Sequence, residues 1–228
     1  MTSSTLIILT RNEIEGLRTL IEAIPVKLFT ECFAIDYNST DGTVEFVKKH
    51  FIRVIRQSVP GRGEAFRLGS RYAKGENLVF FSPDGNEDPR DIPKLLALLE
   101  KGYDMAIASR FMKGSKNEED TQVIKFRAWA NRAFTLLADI AFGGRITDSI
   151  NGYRAITKAA FNALHLDAEG FAIEYQMTIR SLKLGMKIAE LPTRESQRIG
   201  GSSTAFAIPT GLKVLNVLIK EIIKGKNF

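Results

Sequence analysis

The sequence predicts an α/β domain built on a mainly parallel sheet flanked by helices, and three observations support this. Short apolar runs rich in β-branched and aromatic residues alternate with stretches whose apolar residues recur at helical spacing. Each of the first strands is followed by a single helix, a repetition that implies right-handed crossovers and helices on both faces. Polar clusters follow the strand ends, so they share one rim, which is where such sheets bind ligands.

The elements follow in order. Residues 5–9 form a strand ending at Thr10-Arg11-Asn12-Glu13, and Ile14, Leu17, Leu20, Ile21 and Ile24 mark a helix running to Pro25. A second strand at 32–35 leads through the polar run 36–42 into a helix at 44–50. A third strand at 52–55 meets the glycine turn Gly61-Arg62-Gly63 and a helix at 64–74. Strand 78–81 precedes a helix at about 91–101, and strand 104–108 follows. Residues 112–121 are charged and without periodicity, which reads as a mobile loop able to close over a substrate. Then come a long helix at about 123–142, a strand at 153–156, helices at 158–164 and 173–184, and a strand at 187–191. No repeat or linker divides the chain. Residues 1–204 are read as one domain and 205–228 as a C-terminal amphipathic helix.

Composition narrows the function. A chain of 228 residues with 44% hydrophobic content can bury a large core. The formal charge of +6 suits an anionic partner, but the basic residues are dispersed and no nucleic-acid motif is present, which argues against nucleic acid. The single cysteine, Cys32, lies in an apolar run and reads as a structural thiol. No window reaches the roughly 18 apolar residues of a spanning helix, and no signal core is evident, so a cytoplasmic protein is expected, with contact at a membrane surface left open.

The stretch from Val79 to Pro89 carries the most chemistry. An apolar strand stops in a loop where Ser82, Asp84 and Asn86 fall on one side while the backbone stays extended. Three oxygen-bearing side chains there suit a hard cation, Mg²⁺ or Mn²⁺. Taken alone, the stretch reads better as a turn, with Asp88-Pro89 a helix cap followed by proline. Its neighbours shift that balance, because the clusters at Thr10 to Glu13, Asp36 to Asp41 and Ser109-Arg110 all follow strand ends and fit a phosphate-containing ligand with a metal.

Taken in order, the motifs resemble glycosyltransferase family 2, in its dolichol-phosphate mannosyltransferase-like branch. Thr10-Arg11-Asn12-Glu13 resembles T-Y-N-E, and Ile35 to Thr43 resembles V-D-D-G-S-x-D-G-T. Gly61 to Ala65 is similar to G-K-G-x-A, and Ala108 to Phe111 to G-S-R-Y. Asp148 to Arg154 is similar to D-x-T-S-G-F-R, Glu190 to Pro192 to E-V-P, and Arg198 to Ser203 to R-x-x-G-x-S. The resemblance covers residues 6–204 and implies a GT-A, Rossmann-like domain with a C-terminal amphipathic helix. It implies nucleotide-sugar contacts at Thr10, Asn12, Glu13, Asp36, Arg62, Gly63, Ser82 and Asp84, and metal ligation by Asp84 and Asn86. Arg127, Arg154, Arg198 and Ser203 are assigned to acceptor or phosphate binding, and Asp148 and Arg110 to catalysis.

The departures matter. Ser82 stands where D-x-D has its first aspartate, so one carboxylate remains and a metal is expected to bind chiefly with the nucleotide diphosphate. Tyr37 replaces the second aspartate of D-D-G-S and Arg11 the tyrosine of T-Y-N-E, which leaves the base open; Thr204 replaces the final lysine, which removes one phosphate-binding charge and leaves Arg198 for that role. The expected reaction is an inverting sugar transfer to a polyprenyl phosphate, whose anionic oxygen needs no strong base. Asp148 is the candidate base or acceptor-positioning group, and a turn carboxylate is the equal alternative. Glu174 matches a carboxylate position of the family, with pairing to a nearby base as the plain reading. A transferase acting on a saccharide hydroxyl, and a catalytically weak nucleotide-sugar-binding module, are the other readings. The C-terminal helix, with Leu212, Leu215, Leu218, Ile219 and Ile222 at helical spacing and lysines around them, is expected to pack on the domain or on a homodimer partner; membrane contact is the functional alternative.

Overall fold

The computed structural model describes residues 2–121, 126–200, 207–226 and 228. Among them, β1 (Ser4–Thr10), β2 (Glu31–Asp36), β3 (Arg53–Arg56), β4 (Asn77–Phe81), β5 (Met105–Ser109), β6 (Arg154–Thr157) and β7 (Ile188–Pro192) form one sheet. Its order is β3-β2-β1-β4-β6-β5-β7. The helices are α1 (Ile14–Leu20), α2 (Thr43–Lys49), α3 (Arg62–Tyr72), α4 (Ile92–Glu100), α5 (Phe126–Phe142), α6 (Lys158–Ala163), α7 (Ala172–Lys183) and α8 (Ala207–Lys224). The helix expected over 14–24 tightens into a 3₁₀ turn at Ile21–Ala23, because Pro25 holds Ile24 in extended backbone.

Every residue of β1, β4 and β5 is buried, as their unbroken apolar runs require of strands covered on both faces. One apolar layer contains Phe33, Phe66, Phe80, Met105 and Tyr175; the other contains Leu6, Ile8, Phe81, Leu95 and Leu99. Phe66 of α3 stacks on Phe80 of β4 with ring centroids 4.1 Å apart.

The sheet is parallel except at β6. That strand runs antiparallel to both neighbours, with Val79 opposite Ala155 on β4 and Ala106 opposite Ala155 on β5. The reversal has a functional consequence. The parallel strands bring their C-terminal ends to the rim, whereas β6 brings its N-terminal end there, and with it the segment holding Asp148, Asn151 and Tyr153. The side chain of Asp88 accepts from the Arg90 N–H and Pro89 begins the following turn, so the cap reading of that dipeptide holds beside the functional reading of Asp84.

One face of α8 packs on α7 and α5 through Val214, Val217 and Leu218. Glu221, 1% exposed, locks it there. Its Oε1 accepts from Arg180 Nε at 2.9 Å, and its Oε2 from Lys183 Nζ at 2.6 Å. Burial raises the Glu221 pKa, and the two cations more than offset this, leaving it below its ordinary value. Glu221→Ala leaves Arg180 and Lys183 buried without their counter-charge and is expected to cost about 3–5 kcal/mol in urea unfolding. A loss below about 1 kcal/mol would show that the triad does not hold the helix.

Candidate active site

The rim opens into two cavities that meet at Arg62, Ser82, Asp84, Phe171 and Thr210. The larger, about 740 Å³, extends past the ends of β1 and β2 to Arg11, Tyr37 and Gln57. The smaller, about 200 Å³, lies between the β4 loop and the helices α5, α7 and α8.

The β4 loop is built around Asp84. Its Oδ1 accepts from the Asn86 N–H at 3.1 Å, closing the turn that Gly85 completes at φ 94°. Its Oδ2 accepts from Arg198 Nη1 at 2.8 Å. Arg198 also reaches Glu13 Oε1, at 2.6 Å from Nη2. The segment carrying Arg198 is tied to the same loop by Ile199 N to the Asp84 carbonyl at 2.7 Å and Asn86 Nδ2 to the Ser196 carbonyl at 2.6 Å. A guanidinium therefore bridges the one aspartate of the metal motif and the glutamate of the β1 loop. Burial raises the Glu13 pKa to about 7, against the pull of Arg198.

Ser82 accepts from Arg62 Nη1 at 3.0 Å. Arg62 lies over the rings of Phe66 and Phe171 and pairs with Glu174 through Nε. Glu87 folds back onto the Ser82 N–H at 2.7 Å and lies 4.0 Å from Arg62 Nη2. Its pKa is raised to about 8 by burial, with Arg62 opposing and Asp84 adding to the rise.

Across the smaller cavity, Arg110 makes a two-point pair with Asp148, Nε to Oδ2 at 2.7 Å and Nη2 to Oδ1 at 2.9 Å. The backbone N–H groups of Arg110 and Asn151 also bond Asp148, which is fully buried. Four donors already occupy this one carboxylate, so the geometry makes Asp148 the group that orients Arg110 and does not point it at an acceptor proton. Arg110 lines the cavity, 3.7 Å from Glu195. Arg127 lines it too, paired with Glu118 at 2.5 Å.

The remaining expected residues divide. Thr10, Glu13 and Arg198 line the larger cavity. Asp36 does not; it is 2% exposed, and its oxygens accept from Thr10 Oγ1 at 2.9 Å and the Ser39 N–H at 3.1 Å, so it shapes the loop. Asn12 likewise accepts from the Thr40 N–H at 2.8 Å and stays outside the lining. Gly63 is a packing position, since a Cβ there would come within 2.5 Å of the Ala168 carbonyl. Arg154, expected to bind phosphate, is fully buried and donates to the carbonyls of Asn151 and Glu174; its burial lowers its pKa to about 10. It is an internal strut. Ser203 lies outside the described residues. Glu87 and Glu195 are site carboxylates absent from the expected set; Glu174, expected at a family carboxylate position or paired with a base, pairs with Arg62 and lines the smaller cavity. Glu195 was within reach of the rim rule, because it follows β7, which is parallel to β5.

No group of three or more His, Cys, Asp or Glu among the described residues could hold a metal by itself. Asp84, Asn86 and the neighbouring Glu87 nevertheless line the smaller cavity together, with the charge of Asp84 adding to the rise of the Glu87 pKa, and such an oxygen-bearing set suits a hard cation whose coordination a ligand completes.

A sheet of this order, with its acidic loop and arginines at the rim, is the GT-A fold. Residues 5–164 match the family model Glycosyl transferase family 2, and the chain belongs to that family. It is 30% identical over 227 residues to an undecaprenyl-phosphate mannosyltransferase of Micrococcus luteus, covering 92% of this chain and 90% of that one. It is also 30% identical to glycosyltransferase AglJ of Haloferax volcanii over 86% of this chain, and spans 63% of that relative's length. Among solved structures, glucosyl-3-phosphoglycerate synthase of Mycobacterium tuberculosis, in complex with Mn²⁺, UDP and phosphoglyceric acid, shares the fold. It has a TM-score of 0.76 and 21% identity over 97% of this chain and 78% of that one.

Because folded Glu87 keeps a proton that the unfolded chain has lost, stability should fall as pH rises from 4.5 to about 8. Thermal unfolding of Glu87→Gln across that window is expected to show a flatter decline; an unchanged slope would contradict the assignment.

Proposed function

We propose that the protein transfers a sugar from a nucleotide-sugar donor to an acceptor phosphate borne on a long apolar chain, with inversion at the anomeric carbon. The observation that carries this reading is the meeting of two unlike cavities at Ser82 and Asp84. The larger carries Arg11, Arg62, Arg67 and Arg198 in its lining, suited to a nucleoside diphosphate; the smaller pairs Arg110 and Arg127 with an apolar wall that includes Phe126, Phe134 and Val214. The relatives named as polyprenyl-phosphate mannosyltransferases support the same acceptor class.

In this reading the acceptor phosphate oxygen, already anionic, attacks the anomeric carbon, and the electrons of the breaking bond leave with the nucleoside diphosphate. Arg110, held by Asp148, orients the acceptor phosphate, while Arg198 faces the leaving diphosphate. Asp84, with Asn86 and Glu87, would hold a divalent cation, which would supply charge neutralisation for the leaving group. Arg198 is paired with Asp84 Oδ2, and a bound diphosphate would offer its guanidinium an alternative anionic partner. A saccharide hydroxyl would need a base at the acceptor, and Asp148 is committed to its four donors. That favours the phosphate acceptor over a sugar hydroxyl.

The acceptor's location follows from the surface. α5 exposes Phe126, Trp129, Leu136, Leu137 and Ile140, and α8, packed beside it, exposes Ile208, Leu212, Leu215, Ile219, Ile222 and Ile223. The N-terminal parts of both helices line the smaller cavity, and Lys213, Lys220, Lys224 and Lys226 lie on and after α8. No helix of the described residues is long and apolar enough to cross a membrane. The arrangement suits a peripheral membrane face, and a second copy of the chain is the competing cover.

Labelled UDP-glucose and GDP-mannose, each with Mn²⁺ and undecaprenyl phosphate, should yield label in the organic phase, and Arg110→Ala should lower the rate by roughly 10²-fold or more. Label appearing only in soluble saccharide would contradict the acceptor assignment. The full chain should co-sediment with anionic vesicles, and Ile219→Glu should reduce partitioning about tenfold or more through the lost burial of one aliphatic side chain. A dimer in solution without vesicle binding would assign the stripe to a second copy.

A further inference from the structure

Glu174 is a buried carboxylate at the junction of the two cavities that the reaction described above does not use. It projects from the first turn of α7, is 1% exposed and lines the smaller cavity. Its Oε1 is bonded to Arg62 Nε. Its Oε2 is one of two buried side-chain atoms without a hydrogen-bond partner among the described residues. An acceptor left unpaired in the interior is costly, more so when charged, and calls for a partner that the side chains around it do not supply.

The donors around it are already spent. Arg62 Nη1 is bonded to Ser82 and its Nη2 faces Glu87. Arg154 donates to the carbonyls of Asn151 and Glu174 and to Thr178 Oγ1. The close pairing of Arg62 with Glu174 also needs Gly152, where a Cβ would lie 2.1 Å from Arg62 Nη2 and 2.8 Å from Glu174 Oε1. Among the described residues no protein donor reaches Oε2, and the cavity that Glu174 lines is where a ligand would supply one. A phosphate brings acceptors and negative charge, which a carboxylate repels; a sugar brings hydroxyl donors.

Resting on the transferase reading, we propose that Glu174 recognises the sugar of the donor. Its Oε2 accepts a hydrogen bond from a ring hydroxyl of the sugar being transferred, while Oε1 and Arg62 fix the carboxylate in place. Sugars that present no hydroxyl at that point leave the carboxylate oxygen unpaired and are rejected.

The test separates the sugar from the nucleotide. Calorimetry with Mn²⁺ measures the affinity of wild type and Glu174→Gln for UDP against UDP-glucose and for GDP against GDP-mannose. For whichever pair wild type binds, Glu174→Gln should keep its affinity for the nucleoside diphosphate and lose about tenfold or more for the nucleotide sugar, as expected for one charge-assisted hydrogen bond. Retained diphosphate binding also reports that the variant is folded. Equal loss for both ligands, or loss for neither, overturns the assignment and leaves Glu174 as a support for Arg62. Glu174→Asp, which keeps the charge but withdraws the carboxylate by one methylene, should show the same selective loss if Glu174→Gln does not fold. Failure of wild type to bind either nucleotide would instead overturn the transferase reading itself, and this proposal with it.

Discussion

The rim of this sheet gathers more buried negative charge than an empty cleft can hold without partners, and arginine–carboxylate pairs are the constraint on which the rest depends. Arg198 spans Asp84 and Glu13, Arg110 takes Asp148 by two points, and Arg62 joins Glu174 to Ser82. Each pair ties together segments far apart in the chain: the β4 loop to the segment after β7, the end of β5 to the turn before β6, and the start of α3 to the start of α7. Removing one member of such a pair leaves an uncompensated charge in the interior, which costs far more than the intact pair contributes. The same contacts that hold the loops in register also set which groups remain free to meet a ligand.

Much of the architecture was legible in the sequence, for physical reasons that particular elements show. β1, β4 and β5 are unbroken apolar runs because both of their faces are covered, and α4 carries Ile92, Leu95, Leu96 and Leu99 on its buried face. The antiparallel course of β6 was not legible. Four residues, Arg154–Thr157, pair on both sides, and a run that short and buried carries no mark of its direction in the sequence.

The site was legible at the level of loops and less so at the level of side chains. The rim rule found Thr10, Glu13, Ser82, Asp84 and Arg110 because all follow the ends of parallel strands. It could not distinguish residues that face the cleft from those that build its walls. Asp36, Asn12 and Arg154 carry the right chemistry but spend it on neighbouring backbone, an outcome that depends on distances between segments that spacing alone does not encode. Glu174 was visible as a carboxylate on a helix, but its orphaned oxygen belongs to the three-dimensional arrangement.

The loss of the first aspartate of the metal motif also acquires a physical sense. With Ser82 in its place, the motif keeps one aspartate, Asp84, and Arg198 is already paired with it. In the proposed reading the guanidinium holds the cation's place until a diphosphate arrives to take it. The most direct measurement is Mn²⁺ affinity of the nucleotide-free protein, by calorimetry or electron paramagnetic resonance, in wild type and Arg198→Ala. The account predicts that the variant binds Mn²⁺ about tenfold or more tightly than wild type, since a charge-assisted pair no longer competes for Asp84. Equal or weaker binding in the variant would contradict it.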